Sequence, residues 1–167
     1  MVCQSVGKPI RPFNWRLDGN MMKAITISLS VLLAGYVLAV FLPVNPDEAR
    51  PGTRLSGEAA EGEVDRSLIE GGKLVTVQTS TWYLIPHSVT VTSWVADGNY
   101  YLGCGGCAAK VWPIHIARNP EVVVKIDGKL YEGQAFLATG SERRTALGVP
   151  LGDDIPHGDE AYRVDPR

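Results

Sequence analysis

Residues 24–44 (AITISLSVLLAGYVLAVFLPV) carry no charge over 21 positions, and as a helix they reach about 31 Å, the thickness of a bilayer's hydrocarbon core. A membrane anchor is the expected role. Lys8, Arg11, Arg16 and Lys23 precede the run against one acid, Asp18, whereas Asp47, Glu48, Arg50 and Arg54 follow it in balance. Positive-inside bias then places residues 1–23 as a cytoplasmic tail, 24–44 in an inner or plasma membrane, and everything after Val44 outside the cytoplasm. A cleaved signal peptide is the competing reading, because Met21-Met22-Lys23 resembles a start with a short basic region and Val37-Leu38-Ala39 offers small residues for cleavage. Apolar residues continue through Val40-Phe41-Leu42, where a signal would already have turned polar, and this favours retention.

About 120 residues remain after the run, enough for one small domain with its own core. A net charge of −2 with acids and bases interspersed gives no electrostatic footprint for nucleic acid. Residues 45–72 hold Pro46, Pro51, Gly52, Gly57, Gly62 and Gly71-Gly72 among acids and small residues, a linker composition. Within it, residues 56–70 predict a short helix, with Ser56 as N-cap and Val64, Leu68 and Ile69 as a weak apolar stripe.

From Lys73 the period becomes two. Leu74-Val75-Thr76-Val77-Gln78-Thr79 and Ser88-Val89-Thr90-Val91-Thr92-Ser93-Trp94-Val95 are rich in β-branched residues and read as strands. Asp97-Gly98 separates the second from Asn99-Tyr100-Tyr101-Leu102, and Asp127-Gly128 separates residues 122–126 from residues 130–137. Asp-Gly between apolar runs signals a tight hairpin, since a type I′ turn needs positive φ. Between the hairpins, the loop Gly103-Cys104-Gly105-Gly106-Cys107 leads toward a short helix at 113–119, where Pro113 suits the first turn and Asn119-Pro120 ends it. Ala161-Tyr162-Arg163-Val164 supplies a last strand. The expected domain, residues 73–167, is mainly β with an α+β character: about six mostly antiparallel strands closing as a small barrel with one or two short helices, preceded by a single transmembrane helix.

Pro86, Asp97-Gly98, the Tyr-rich strand, the glycine loop, Lys110, Trp112, Asn119-Pro120-Glu121-Val122, Asp127-Gly128, Tyr131, Gly140 and Glu142-Arg143-Arg144 follow in an order that resembles the split β-barrel flavin-binding superfamily. The nearest group within it is the deazaflavin-dependent nitroreductase and quinone reductase group, with the pyridoxamine-phosphate-oxidase-like proteins next. The resemblance covers roughly residues 74–147, extends to 162–167, and is most specific over 106–144. It implies an FMN or F420 cofactor with its phosphate near Gly105, Gly106 and Lys110, with Trp112, His87 and Ser88 nearby, and a homodimer with the cofactor near the subunit interface. Physical chemistry agrees on Lys110, a point charge beside a glycine loop that can collect an anion. The sequence departs from the family pattern near Pro86, where only His87, Ser88 and threonines stand in place of further bases, and at Ala109, where oxidase-like relatives often carry arginine.

The resemblance does not account for Cys104-Gly105-Gly106-Cys107. Outside the cytoplasm such a pair tends to form a disulfide, structural or easily reduced, and a redox-active dithiol is the second reading. Haem attachment would need His in place of Ala108, and zinc would need two more ligands from His115 and His87 or His157, so no metal is expected. Cys3 belongs to the tail before the membrane run. Trp82, Tyr83, Trp94, Tyr100, Tyr101 and Trp112 are expected in the core and at the barrel rim rather than stacked on a flavin. No hydrolase triad or phosphate-binding nucleotide loop is present. The function expected is a membrane-anchored, extracytoplasmic flavin- or deazaflavin-dependent oxidoreductase acting on a quinone or other lipid-soluble substrate. The alternative is a non-catalytic binding or envelope interaction module that keeps the barrel without the cofactor.

Overall fold

The computed structural model describes residues 18–47, 50–60, 62, 64, 66–69 and 71–167. The tail cations Lys8, Arg11 and Arg16, together with Cys3 and Glu48, lie outside the described residues. Helix α1, Gly19–Phe41, is one apolar helix of 23 residues, long enough to cross a membrane. A signal sequence passes the same length test. Two compact units are present, one ending at Tyr36 and one covering residues 37–167.

The second unit is a closed antiparallel barrel of six strands. These are β2 (Lys73–Thr79), β3 (His87–Ala96), β4 (Asn99–Cys104), β5 (Glu121–Ile126), β6 (Lys129–Leu137) and β7 (Glu160–Pro166), while β1 (Glu58–Ala59) is a two-residue edge. Around the barrel the order is β6, β5, β2, β3, β4, β7, and β6 closes on β7 through pairs from Gly133 with Pro166 to Leu137 with Tyr162. The long strand β6 serves three neighbours. Its residues Lys129 to Gln134 pair with β5, while its other edge carries β1 in parallel at Lys129 and Leu130 and then β7 over its last five residues. Gly133 sits where the change of partner occurs, and a Cβ there would fall 2.7 Å from the Asp165 carbonyl oxygen.

Alternation puts Val75 and Val77, Val122, Val124 and Ile126, and Tyr131 and Ala135 inside, as a period of two requires. The Asp97-Gly98 and Asp127-Gly128 turns have positive φ at both central residues, as type I′ hairpins demand. Helix α2, Trp112–Arg118, closes the core by burying Trp112 and Ile116 in it. Helix α3, Gly140–Ala146, packs outside over Tyr101, where the Trp94 indole N–H donates to the Ala146 carbonyl at 2.7 Å. Glu142-Arg143-Arg144 ties this helix to β7 and to the chain that leads into it. Glu142 accepts from Arg163 at 2.8 Å, and Arg143 and Arg144 donate to the carbonyls of Asp159, Pro150 and Asp153.

The helix expected over 56–70 does not form. Its described residues instead make β1 and a 3-10 turn at Arg66–Ile69 whose Ile69 is fully buried in the barrel core. Glycine at 57 weakens a helix, while the open edge of β6 offers the backbone partners it cannot find alone. The segment of linker composition also engages the barrel. Gly52 and Ser88 exchange two backbone hydrogen bonds, and the Leu55 N–H donates to the Gln78 side chain at 2.7 Å.

Candidate functional site

A cleft of about 320 Å³ opens where β3, the glycine loop and the start of α2 meet the segment around residue 50. Its wall carries His87 and the alternating Val89-Thr90-Val91 of β3, Cys104 and Gly105 of the loop, and Ala109 to Trp112 entering α2. Asp47, Arg50 and Pro51 complete it. The topology therefore brings together His87, Gly105, Lys110 and Trp112, four of the residues singled out in the sequence.

Ser88 and Gly106 are not among the lining residues. Ser88 is fully buried, and its backbone N–H and carbonyl both pair with Gly52. Gly106, at φ 61°, supplies the left-handed bend before the 3-10 turn Cys107–Ala109. Trp112 is 3 % exposed and packs its ring 4.9 Å from that of Tyr162, so it forms the floor and does not offer a free ring face.

Arg50 is the residue that sequence reasoning missed. It was read only as a flanking charge, yet it stands in the cleft with Lys110. Its position depends on a turn in which the Arg50 N–H donates to the Asp47 carboxylate at 2.6 Å and the Asp47 N–H donates to the Arg50 carbonyl at 3.2 Å. Gly52 then fastens the segment to β3. A Cβ at Gly52 would collide with the Val44 carbonyl oxygen and the Pro46 nitrogen, so only glycine allows the chain to pass so close. No local motif announces a contact between residues 36 positions apart.

Behind the cleft, His87 meets His115 edge to face, with ring centroids 5.2 Å apart. The Thr79 hydroxyl donates to the His87 carbonyl at 3.1 Å, so its contact of 3.0 Å with the His115 Nδ1 requires that nitrogen to carry the proton. His87 Nδ1 is buried without a hydrogen-bond partner. Burial pushes both imidazoles below their ordinary pKa; the charge of His115 adds to the effect on His87, and Arg118 adds to that on His115.

These rings bind protons less readily in the folded chain than in the unfolded one. Their contribution to stability is therefore complete above about pH 6.5 and is lost as the pH falls from there toward the folded values. The urea midpoint should accordingly drop between about pH 7.5 and about pH 5, and His87→Asn with His115→Asn should flatten that dependence. An equal drop in the double variant would remove the histidines as its cause.

Cys104 and Cys107 stand at disulfide distance, Cα atoms 5.5 Å apart, and both are buried. Only Cys104 of the two lines the cleft. Among the described residues no group of three His, Cys, Asp or Glu side chains is placed to hold a metal ion.

No family model and no curated protein matches this chain. Solved structures do. A candidate pyridoxamine 5′-phosphate oxidase from Listeria innocua is 18% identical, with 60% of this chain and 88% of that one covered at a TM-score of 0.45. General Stress Protein 26 from Bacillus anthracis is 20% identical, with 60% and 84% covered at 0.46. A candidate 5-nitroimidazole antibiotic resistance protein from Bacteroides thetaiotaomicron is 14% identical, with 72% and 89% covered at 0.45. At these identities and scores the likenesses carry nothing about activity. The closed six-stranded barrel, divided along β6, itself fits the split β-barrel that the sequence resembles.

Proposed function

We propose that the barrel is a flavin- or deazaflavin-dependent oxidoreductase-like domain that takes the phosphate of FMN or F420 into the cleft between β3 and the glycine loop. The observation that carries this reading is the meeting of two cations from distant parts of the chain, Arg50 and Lys110, at one cleft whose only other charged lining residue is Asp47. Resemblance alone offered a single lysine against a doubly charged phosphate. Two cations and the exposed backbone of Gly105 make a better match to that anion. Val89, Val91 and Val111 would give a ring system apolar contact, and the buried Trp112 would hold the floor rigid beneath it. His87, kept neutral by burial, would present an uncharged polar group to the cofactor. The bound cofactor would supply hydride chemistry, while the chain would bind the phosphate, orient the ring and exclude water.

In this reading α1 anchors the chain in membrane lipid, with its N-terminus cytoplasmic and the barrel outside. A quinone or another lipid-soluble molecule is then the fitting substrate class, and a homodimer follows from the family resemblance. The binding test is a titration of the full chain in detergent with FMN and with F420, followed by fluorescence and absorbance. Saturable binding of one cofactor per chain is expected. Failure of both would leave the non-catalytic envelope module as the reading. For orientation, a reporter fused after Arg167 should be active only in its extracytoplasmic form; activity only in the cytoplasmic form would reverse the topology, and a soluble product beginning at Val40 would establish signal cleavage.

A further inference from the structure

We infer that Cys104 and Cys107 form a thiol–disulfide exchange site, reduced by a dithiol that enters the cleft and attacks Cys104. The inference goes beyond the cofactor reading and does not rest on it. Its basis is placement: Cys104 is among the residues that line the cleft, with Arg50, Lys110 and one acid, Asp47, whereas Cys107 is not.

A purely structural staple would contribute little here. The stabilisation from a cross-link grows with the logarithm of the loop it closes, and a pair three residues apart closes a very short one. The loop is also held without it. Cys104 pairs with Glu160 between β4 and β7, the Cys107 N–H donates to the Gly158 carbonyl at 3.0 Å, and the Ala109 and Lys110 N–H groups donate to the carbonyls of Gly106 and Cys107. None of these bonds uses the sulfur–sulfur link. The pair can therefore open while its loop stays folded.

The charges suit the chemistry. A thiolate is the nucleophile in exchange, and neighbouring cations both attract it and favour the thiolate released. One thiolate of the dithiol attacks the Cys104 sulfur, the Cys104–Cys107 bond breaks, and Cys107 departs as a thiolate that takes up a proton. The second thiol of the dithiol, as its thiolate, then attacks the mixed disulfide. The dithiol closes into its own disulfide and Cys104 is released as a thiolate in the cleft that holds Arg50 and Lys110. Two electrons pass from dithiol to protein.

The test uses the full chain in detergent, reduced by dithiothreitol under native conditions, quenched by alkylation and read by mass. Complete reduction without loss of the folded near-ultraviolet signal is expected, and Arg50→Gln with Lys110→Gln should slow it about tenfold while Lys129→Gln leaves it unchanged. Single cysteine variants give a second readout. In Cys107→Ser the remaining Cys104 should alkylate faster under native conditions than the Cys107 left in Cys104→Ser, and adding Lys110→Gln should slow it. Reduction only after unfolding, a rate indifferent to the two cations, or Cys107 as the more reactive thiol would each overturn the assignment.

Discussion

Trp112→Ala should lower stability by about 3–5 kcal/mol, a large share of what a domain of this size possesses. Trp112 is the first residue of α2, 3 % exposed, and its ring meets Tyr162 at 4.9 Å inside the same core as Ile116, Cys104 and Cys107. Truncation would leave a cavity between the helix and β7 that neighbours held by strand pairing cannot collapse to fill. The same change should loosen the cleft floor. Thermal melting followed in the near ultraviolet should show a midpoint about 10–20 °C lower. Trp112→Phe, which keeps a ring at the site, should lose much less. A midpoint for Trp112→Ala within a degree or two of the parent would mean that α2 is not a packed part of the barrel.

The second large effect concerns the two cations of the cleft. If a phosphate binds there, removing either charge-assisted contact costs about 1.5–3 kcal/mol, so Lys110→Ala or Arg50→Ala should each weaken FMN or F420 binding about ten- to a hundredfold. Both together should cost at least a hundredfold. Lys129→Ala should do little, since Lys129 is exposed at the start of β6, directly after the Asp127-Gly128 turn, and does not line the cleft. Raising the salt concentration should weaken the parent more than the double variant, because screening acts on charges the variant lacks. Wild-type affinity in both single variants would place the phosphate elsewhere, even if the protein binds the cofactor.

The two predictions draw on different levels of information. Trp112 was legible in the sequence as one of the aromatics expected in the core and at the barrel rim. Lys110 was legible as well, through its place after the glycine loop. Arg50 was not, since its role depends on a pairing between Gly52 and Ser88 that no local pattern encodes. Ser88 depends on the same pairing: next to His87 in sequence, it is fully buried and does not line the cleft. Cys104 and Cys107 were visible as a pair, but spacing could not say that one of them faces a cleft and the other does not.

What the sequence determined by itself are the features written in short-range chemistry. Most of an uncharged run of 21 residues makes an apolar helix, though the helix starts earlier, at Gly19, and ends at Phe41; alternation makes strands, and Asp-Gly makes hairpins whose φ angles only such residues readily adopt. The tertiary structure alone decided how those pieces close. β6 leaves β1 for β7 at Gly133, Ile69 enters the core from a 3-10 turn, and the chain near Arg50 is drawn against β3. Each of these depends on backbone groups and apolar surface that find partners only after distant strands have paired. A period of two tells which face of a strand is buried, but it carries no address for the neighbour that buries it.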